Sequence, residues 1–479
     1  MTLHSAGHRR GVVAAPHVAA VEDGRMILSE GGNAIEAMLA MAASIAAVYP
    51  HMNHIGGDGF WLIRAPSGRI RALMGAGRAG AKATPRFYRD AGYDEIPPRG
   101  PLAALTVPGA VGAWMLAQEA AKAQGGKLPL GMLLAPAIRH ARNGYEVARS
   151  QARLTAEKLP EMDKAIGFGK TFLVDGKAPD VGARLKQTEF AATLEHLAHA
   201  GLGDFYRGDV GREIAGDLER IGSPVTRADV ESYRATVDEP LSVMVEAGTL
   251  YNSPPPTQGL ASLMILALFA RLRVGQAESF EHIHGLIEAT KCALRVRDRV
   301  ITDPDKITAD LSQYLAPAYL DAEAAEIDGR KAARWPAPYG EGDTVWMGAR
   351  TQAVSSSPTF SRSIGSSAPA ACFRPPAFSC KTAAPASRLM QRPRTRLRPV
   401  AVPSTRSILR SLFSRTDASW ATAPWAAMAS RKARRPCSRA TSRSVRRSTR
   451  RSMRRAGCSD APGDRHIQTC EWSRVSTGI

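Results

Sequence analysis

Residues 31–74 read GGNAIEAMLAMAASIAAVYPHMNHIGGDGFWLIRAPSGRIRALM, and the order of periodicities in this stretch decides the fold. Asn33 followed three residues later by Glu36 is a helix-start signal, because the amide oxygen accepts from first-turn N–H groups and the carboxylate reaches back to the cap. The Ala, Met and Ile run to Val48 then predicts a helix whose small side chains permit close packing, and Pro50 ends it. Residues 60–64 and 69–74 are short apolar runs on either side of Ala65-Pro66-Ser67-Gly68, a turn signal, and together they predict a hairpin. Working outward, helical patterns recur at 110–123, 130–142, 210–221, 260–273 and 282–299. Strand pairs interleaved with helices predict an α/β or α+β layered domain. The apolar run at 34–50 is too short to cross a bilayer and is broken by Glu36, so it is assigned to the core.

Composition divides the chain in two. It has 479 residues, 44% of them hydrophobic, which excludes a wholly disordered protein. The formal net charge of +20 suggests an anionic partner, but its placement argues otherwise. Residues 351–479 hold 25 Lys and Arg against 4 Asp and Glu, whereas residues 1–350 hold 39 against 40. Basicity therefore belongs to the last quarter alone. Cysteine follows the same divide: only Cys292 precedes residue 351, and the other five are irregularly spaced, which argues against a disulfide framework or a zinc site. Residues 1–10 are polar and lack an apolar signal-peptide core, so a cytoplasmic location is expected, with no membrane partner. From Ser355 onward there is no Tyr and no Asn, Ser, Arg, Ala and Pro dominate, and little stable structure is expected.

Several segments, in this order, carry a resemblance. They are Gly31-Gly32-Asn33-Ala34-Ile35-Glu36-Ala37, Pro50-His51-Met52 with Gly56-Gly57-Asp58-Gly59-Phe60, Thr106-Val107-Pro108-Gly109, Ala135-Pro136-Ala137 with Asn143-Gly144, and Asn252-Ser253-Pro254-Pro255-Pro256-Thr257. Their order and spacing resemble the γ-glutamyltranspeptidase family of N-terminal nucleophile hydrolases. Gly342-Asp343-Thr344-Val345-Trp346 falls where the family's precursor is cut, in a form similar to a bacterial branch without a secretion signal. The resemblance implies an αββα sandwich, here incomplete, with a large-subunit-like region at 1–343, the start of a small-subunit-like region at 344–355, and a basic tail at 356–479. It implies no metal and no organic cofactor.

The chemistry implied at the cut can be stated physically. The Thr344 hydroxyl attacks the carbonyl of Asp343, and hydrolysis of the resulting ester leaves Thr344 as a chain terminus. One residue then supplies the nucleophile and, through an α-amine with an ordinary pKa of about 7.7 to 8.0, the general base. The bland alternative is a strand residue beside Val345 and Trp346. Arg78, in Gly75-Ala76-Gly77-Arg78-Ala79, stands where the family places the arginine that holds the substrate's carboxylate, a task that suits a planar guanidinium. Ala79 departs from the family's Arg-Glu, and a surface arginine in a turn is the alternative. The glycines at 56–59 lack a following Lys-Ser/Thr and are assigned to close backbone packing rather than a phosphate cradle. His51 and His54 lack a third metal ligand nearby.

The family's small-subunit features are not legible after Ser355. They are expected to reappear if one base was lost near that point and is supplied again: Ser356 to Ala370 then reads FIADIQSLYREFGSG and Ser379 to Arg388 reads LLQNRGASFS, both with permissible codons. The chain as written is accordingly expected to be inactive and to leave one sheet face uncovered. The expected activity is that of a self-cleaving γ-glutamyltransferase or γ-glutamyl hydrolase. Its substrates would be glutathione or other γ-glutamyl amides, with water or an amino compound as acceptor. The alternatives are a glutaryl-amide acylase and a non-enzymatic protein whose basic tail binds nucleic acid.

Overall fold

The computed structural model describes residues 11–97, 99–162, 165, 167–335 and 347–351, with backbone alone at 344–346, 357–362, 371–372 and 379–380. In chain order the elements that build the site are β1 (Gly11–Ala14), α1 (Val18–Ser29), α2 (Ala34–Val48), β2 (Asp58–Arg64), β3 (Ile70–Gly75), α3 (Ala110–Ala123), α4 (Leu130–Asn143) and α5 (Thr188–Ala200). They continue as β4 (Thr236–Asp238), β5 (Leu241–Val245), β6 (Gly248–Asn252), α6 (Gly259–Arg271), α7 (Phe280–Val300), α8 (Pro317–Ala325), β7 (Thr344–Thr351) and β8 (Ser357–Arg362).

Helix α2 begins as its sequence dictates. Asn33 Oδ1 accepts from the Ile35 and Glu36 N–H groups at 3.0 Å each, and Glu36 Oε2 accepts from the Asn33 N–H at 2.8 Å. The other oxygen of that buried carboxylate accepts the Leu128 N–H at 2.8 Å, so one cap side chain also pins the loop before α4. Every residue of α2 is buried, because the helix lies between α1, α3, α4 and the sheet. Its Ala-rich sequence permits those close approaches on all sides.

The sheet has six strands in the order β1-β7-β8-β2-β3-β4, antiparallel throughout. The predicted hairpin is its β2–β3 pair, joined by the predicted turn. Alternation sorts the side chains of this hairpin: Trp61, Ile63 and Leu73 join the core with Val111, Trp114 and Ala117 of α3, while Phe60, Leu62, Ala72 and Met74 cluster on the opposite face. Strand β8 departs from the expectation of little structure after Ser355. Its backbone is bonded to β7 on one side and β2 on the other, and such a ladder satisfies N–H and C=O groups whatever the side-chain pattern. In the rest of the predicted tail only the backbones of 371–372 and 379–380 are described, and they pair with each other.

A second core belongs to α6, α7 and α8, on which the hairpin β5–β6 rests through Val243 and its cross-strand partner Leu250. The layers thus run helix, sheet, sheet, helix, with the second sheet represented among the described residues by this hairpin. No described helix is long and apolar enough to cross a membrane.

Candidate active site

Thr344 opens β7, and its register places it in a defined row. It lies opposite Arg362, the last residue of β8, which in turn lies opposite Asp58, the first residue of β2. Two strand spacings separate Thr344 from Asp58, roughly 10 Å. Strand β3 ends beside them at Gly75, so the start of β7, the end of β8, the start of β2 and the end of β3 share one end of the sheet. Asp343 and the side chain of Thr344 lie outside the described residues.

Arg78 follows three residues after β3, in a loop held at nearly every peptide. The Gly77 N–H donates to Asp58 Oδ1 at 2.8 Å, the Tyr233 hydroxyl donates to the Ala76 carbonyl at 2.9 Å, and the Val107 N–H donates to the Arg78 carbonyl at 2.9 Å. Gly80 N–H donates to the Leu105 carbonyl at 2.8 Å, and Ala79 bridges to Thr106. Glycine is required here by proximity: a Cβ on Gly75 would stand 2.6 Å from the Gly109 carbonyl oxygen, and one on Gly77 would overlap the Val107 carbonyl. Gly57 and Gly59 lie in close backbone packing of the kind the sequence predicts. Gly57 C=O accepts from Gly109 and Ala110 at 2.9 and 2.8 Å, and a Cβ on Gly59 would meet Ala110 at 3.3 Å.

Beneath the loop lies a buried polar cluster. Tyr206 donates to the Pro108 carbonyl and accepts the Gly112 N–H, both at 2.8 Å, and its ring centroid is 5.1 Å from that of Tyr233. Burial pushes both phenols above their ordinary range, and the negative charge of Asp58 adds to the rise. The Arg78 charge acts in the opposite sense on Tyr233, which lies within the fields of both charged groups. The Arg78 guanidinium itself is exposed and meets Asp305, on the short turn Pro304–Lys306, at 3.3 Å.

The structure therefore brings the Thr344 backbone and the Arg78 loop to one end of the sheet, and adds Asp58, Tyr233 and Asp305, which the sequence reading passed over. Asp58 had a legible signal, an acidic residue heading a strand apolar on both faces. His51 Nε2 lies 3.0 Å from Ser150 Oγ, with its ring 4.2 Å from Tyr49, and the ring of His54 lies 4.8 Å from Phe190. Among the described residues no three His, Cys, Asp or Glu side chains are grouped to hold a metal ion.

Residues 20–370 match the family described as gamma-glutamyltranspeptidase. The chain belongs to that family. It is 45% identical over 348 residues to the oxamate amidohydrolase proenzyme of Klebsiella pneumoniae, covering 72% of this chain and 66% of the relative. It is 35% identical over 319 residues to the glutathione hydrolase-like YwrD proenzyme of Bacillus subtilis, covering 66% and 60%, and 30% identical over 342 residues to the glutathione hydrolase proenzyme of Escherichia coli, covering 69% and 57%. This gamma-glutamyltranspeptidase-family chain thus spans somewhat under two thirds of the length of these relatives. Among solved structures it is similar to the cephalosporin acylase from Bacillus halodurans, with a TM-score of 0.68 at 28% identity over 76% of this chain and 68% of that one. It is also similar to the gamma-glutamyltranspeptidase from Pseudomonas nitroreducens complexed with L-DON, with a TM-score of 0.62 at 28% identity over 68% of this chain and 97% of that one. The layered sandwich described above is the fold of these N-terminal nucleophile hydrolases.

Proposed function

We propose that this chain encodes an amide-cleaving N-terminal nucleophile enzyme, made as a self-cutting precursor, that acts on small substrates carrying a free carboxylate. The observation that supports it is the convergence of the Thr344 strand start and the rigid Arg78 loop at one end of the sheet. In this reading the peptide bond between Asp343 and Thr344 is replaced by an ester to the Thr344 oxygen, and water cleaves the ester to leave a free α-amine. That amine takes the proton of the Thr344 hydroxyl as the oxygen attacks the substrate's amide carbonyl, then returns a proton to the departing amine. Arg78 exchanges the exposed Asp305 carboxylate for that of the substrate, which orients the carbonyl toward Thr344. Water or an amino compound resolves the acyl-Thr344 ester.

The primary substrate assignment is a γ-glutamyl amide such as glutathione, giving hydrolysis or transfer; a glutaryl amide would use the same nucleophile and carboxylate site. A second reading, oxamate, is favoured by the 45% identity to an oxamate amidohydrolase proenzyme. Activity is assigned to the protein in which the frame after residue 355 is restored, and resequencing the bases for residues 350–360 tests that part. The frame-restored protein is expected to cut itself before Thr344 and to release product from γ-glutamyl-p-nitroanilide, a glutaryl amide or oxamate, the preferred one naming the substrate class. Thr344→Ala should stay uncut and lose turnover by about four orders of magnitude or more. Full turnover by an uncut alanine variant would refute the mechanism.

A further inference from the structure

Among the described side chains of this site Asp58 is the charged one that is buried, at 5% exposure, and nothing in the mechanism above uses it. It heads β2, the strand that carries the helix-side core on one face and Phe60 and Leu62 on the other, so its backbone is fixed by the sheet. Its Oδ1 takes the N–H of Gly77, the residue immediately before Arg78. The carbonyl of the same peptide, that of Ala76, accepts from the Tyr233 hydroxyl, and two peptides further on the Arg78 carbonyl accepts from the Val107 N–H. Three hydrogen bonds from three separate segments therefore fix the backbone of residues 76–78. Asp58 is the one of the three that shares a register row with Thr344.

We infer that Asp58 is a positioning residue, whose hydrogen bond to the Gly77 N–H sets where Arg78 stands relative to Thr344. The inference rests on the reading of Arg78 as the carboxylate site and adds to it the group that fixes its distance from the nucleophile. A buried carboxylate is costly to retain without hydrogen bonds, and one that it makes here is to a peptide N–H in a stretch where no side chain larger than hydrogen fits at Gly75 or Gly77. Without that acceptor the Gly77 N–H is left in a site closed by Val107 and Tyr233, and the Ala76–Gly77 peptide is held through its carbonyl by Tyr233 alone, so it can tilt about that one bond. The consequence falls on substrate binding, because the guanidinium still exists but its origin shifts. Asparagine at this position keeps an oxygen acceptor of the same length, so the hydrogen bond, and not the charge, is the property at issue.

The test pairs Asp58→Ala with Asp58→Asn. Amide hydrogen exchange on the full chain as written reads the loop directly: the alanine variant should exchange the Gly77 amide about tenfold faster or more, and the asparagine variant should return it toward the parent. In the frame-restored protein, alanine should raise KM for the preferred carboxylate-bearing amide by about tenfold or more with kcat changed by no more than about threefold, and asparagine should restore KM. An unchanged Gly77 exchange rate in the alanine variant, an unchanged KM, or an asparagine variant as defective as alanine would each overturn the inference. If the parent itself turns over no amide, the proposed function falls while the exchange measurement still decides whether Asp58 holds the loop.

Discussion

Strand β2 and the hairpin β5–β6 are both antiparallel, and each rests on a layer of helices, yet their second faces differ completely. Six of the seven β2 residues are buried, with Trp61 and Ile63 on the helices and Phe60 and Leu62 in a cluster of their own. On the hairpin only Val243 and Leu250 are buried, and Met244 is 78% exposed. Among the described residues each hairpin strand also has a pairing partner on one side only, which leaves two edges of unpaired backbone groups. The difference shows what an inner sheet needs. A strand that begins inside the site, as β2 does with Asp58, is held from both faces, whereas the hairpin draws its stability from one.

The comparison can be broken most directly at Trp61, which is 1% exposed. Trp61→Ala should cost about 3 to 5 kcal/mol in urea unfolding, since it removes a tryptophan packed between β2 and the helices; a cost below 1 kcal/mol would mean that the two-sided burial contributes little. A second effect is expected at His17, which caps α1 beside β1 and whose imidazole is pushed down to about 4, by burial first and by the nearby His140 second, against an opposing pull from Asp23. Between pH 6.5 and 4 the unfolded chain takes up a proton that the folded chain refuses, so stability is intact above pH 6.5 and falls as pH drops toward 4. The loss should be about 2 kcal/mol between pH 7 and 4.5. His17→Asn keeps a capping oxygen and should remove most of that slope, as read from unfolding curves at the two pH values. The smallest effect belongs to the open face: Met244→Lys should change stability by less than about 0.5 kcal/mol while lowering light scattering in concentrated solution.

How much of this was legible depended on whether the deciding partners were close in sequence. The α2 capping box needs only residues 33 and 36, and the β2–β3 hairpin needs only the turn between its strands, so both were read correctly. Helix 110–123 was placed to the residue, and the other predicted helices fell within about two residues of their ends. Helix α1 escaped notice because its buried face includes Asp23, which meets His140 at 2.9 Å, and Gly24, so no apolar stripe marks it. The helix Arg149–Met162 hides in the same way behind buried Gln151 and Thr155. The hydrogen bond between Gly77 and Asp58 spans 19 positions and that between Tyr233 and Ala76 spans 157, and no local pattern announces either. Resemblance to a family supplied Thr344 and Arg78, but only strand register put them at one end of the sheet.

The strand order has a consequence for biosynthesis. Strand β1, at residues 11–14, is paired with residues 348–351 of β7. Strand β1 must therefore wait for a segment more than 300 positions later before its ladder can close, and loop-closure entropy opposes that step until the intervening layers have formed. Strand β8, at residues 357–362, then joins β7 to β2, so the two halves of the sheet can unite only after the strand that begins with Thr344 has been made.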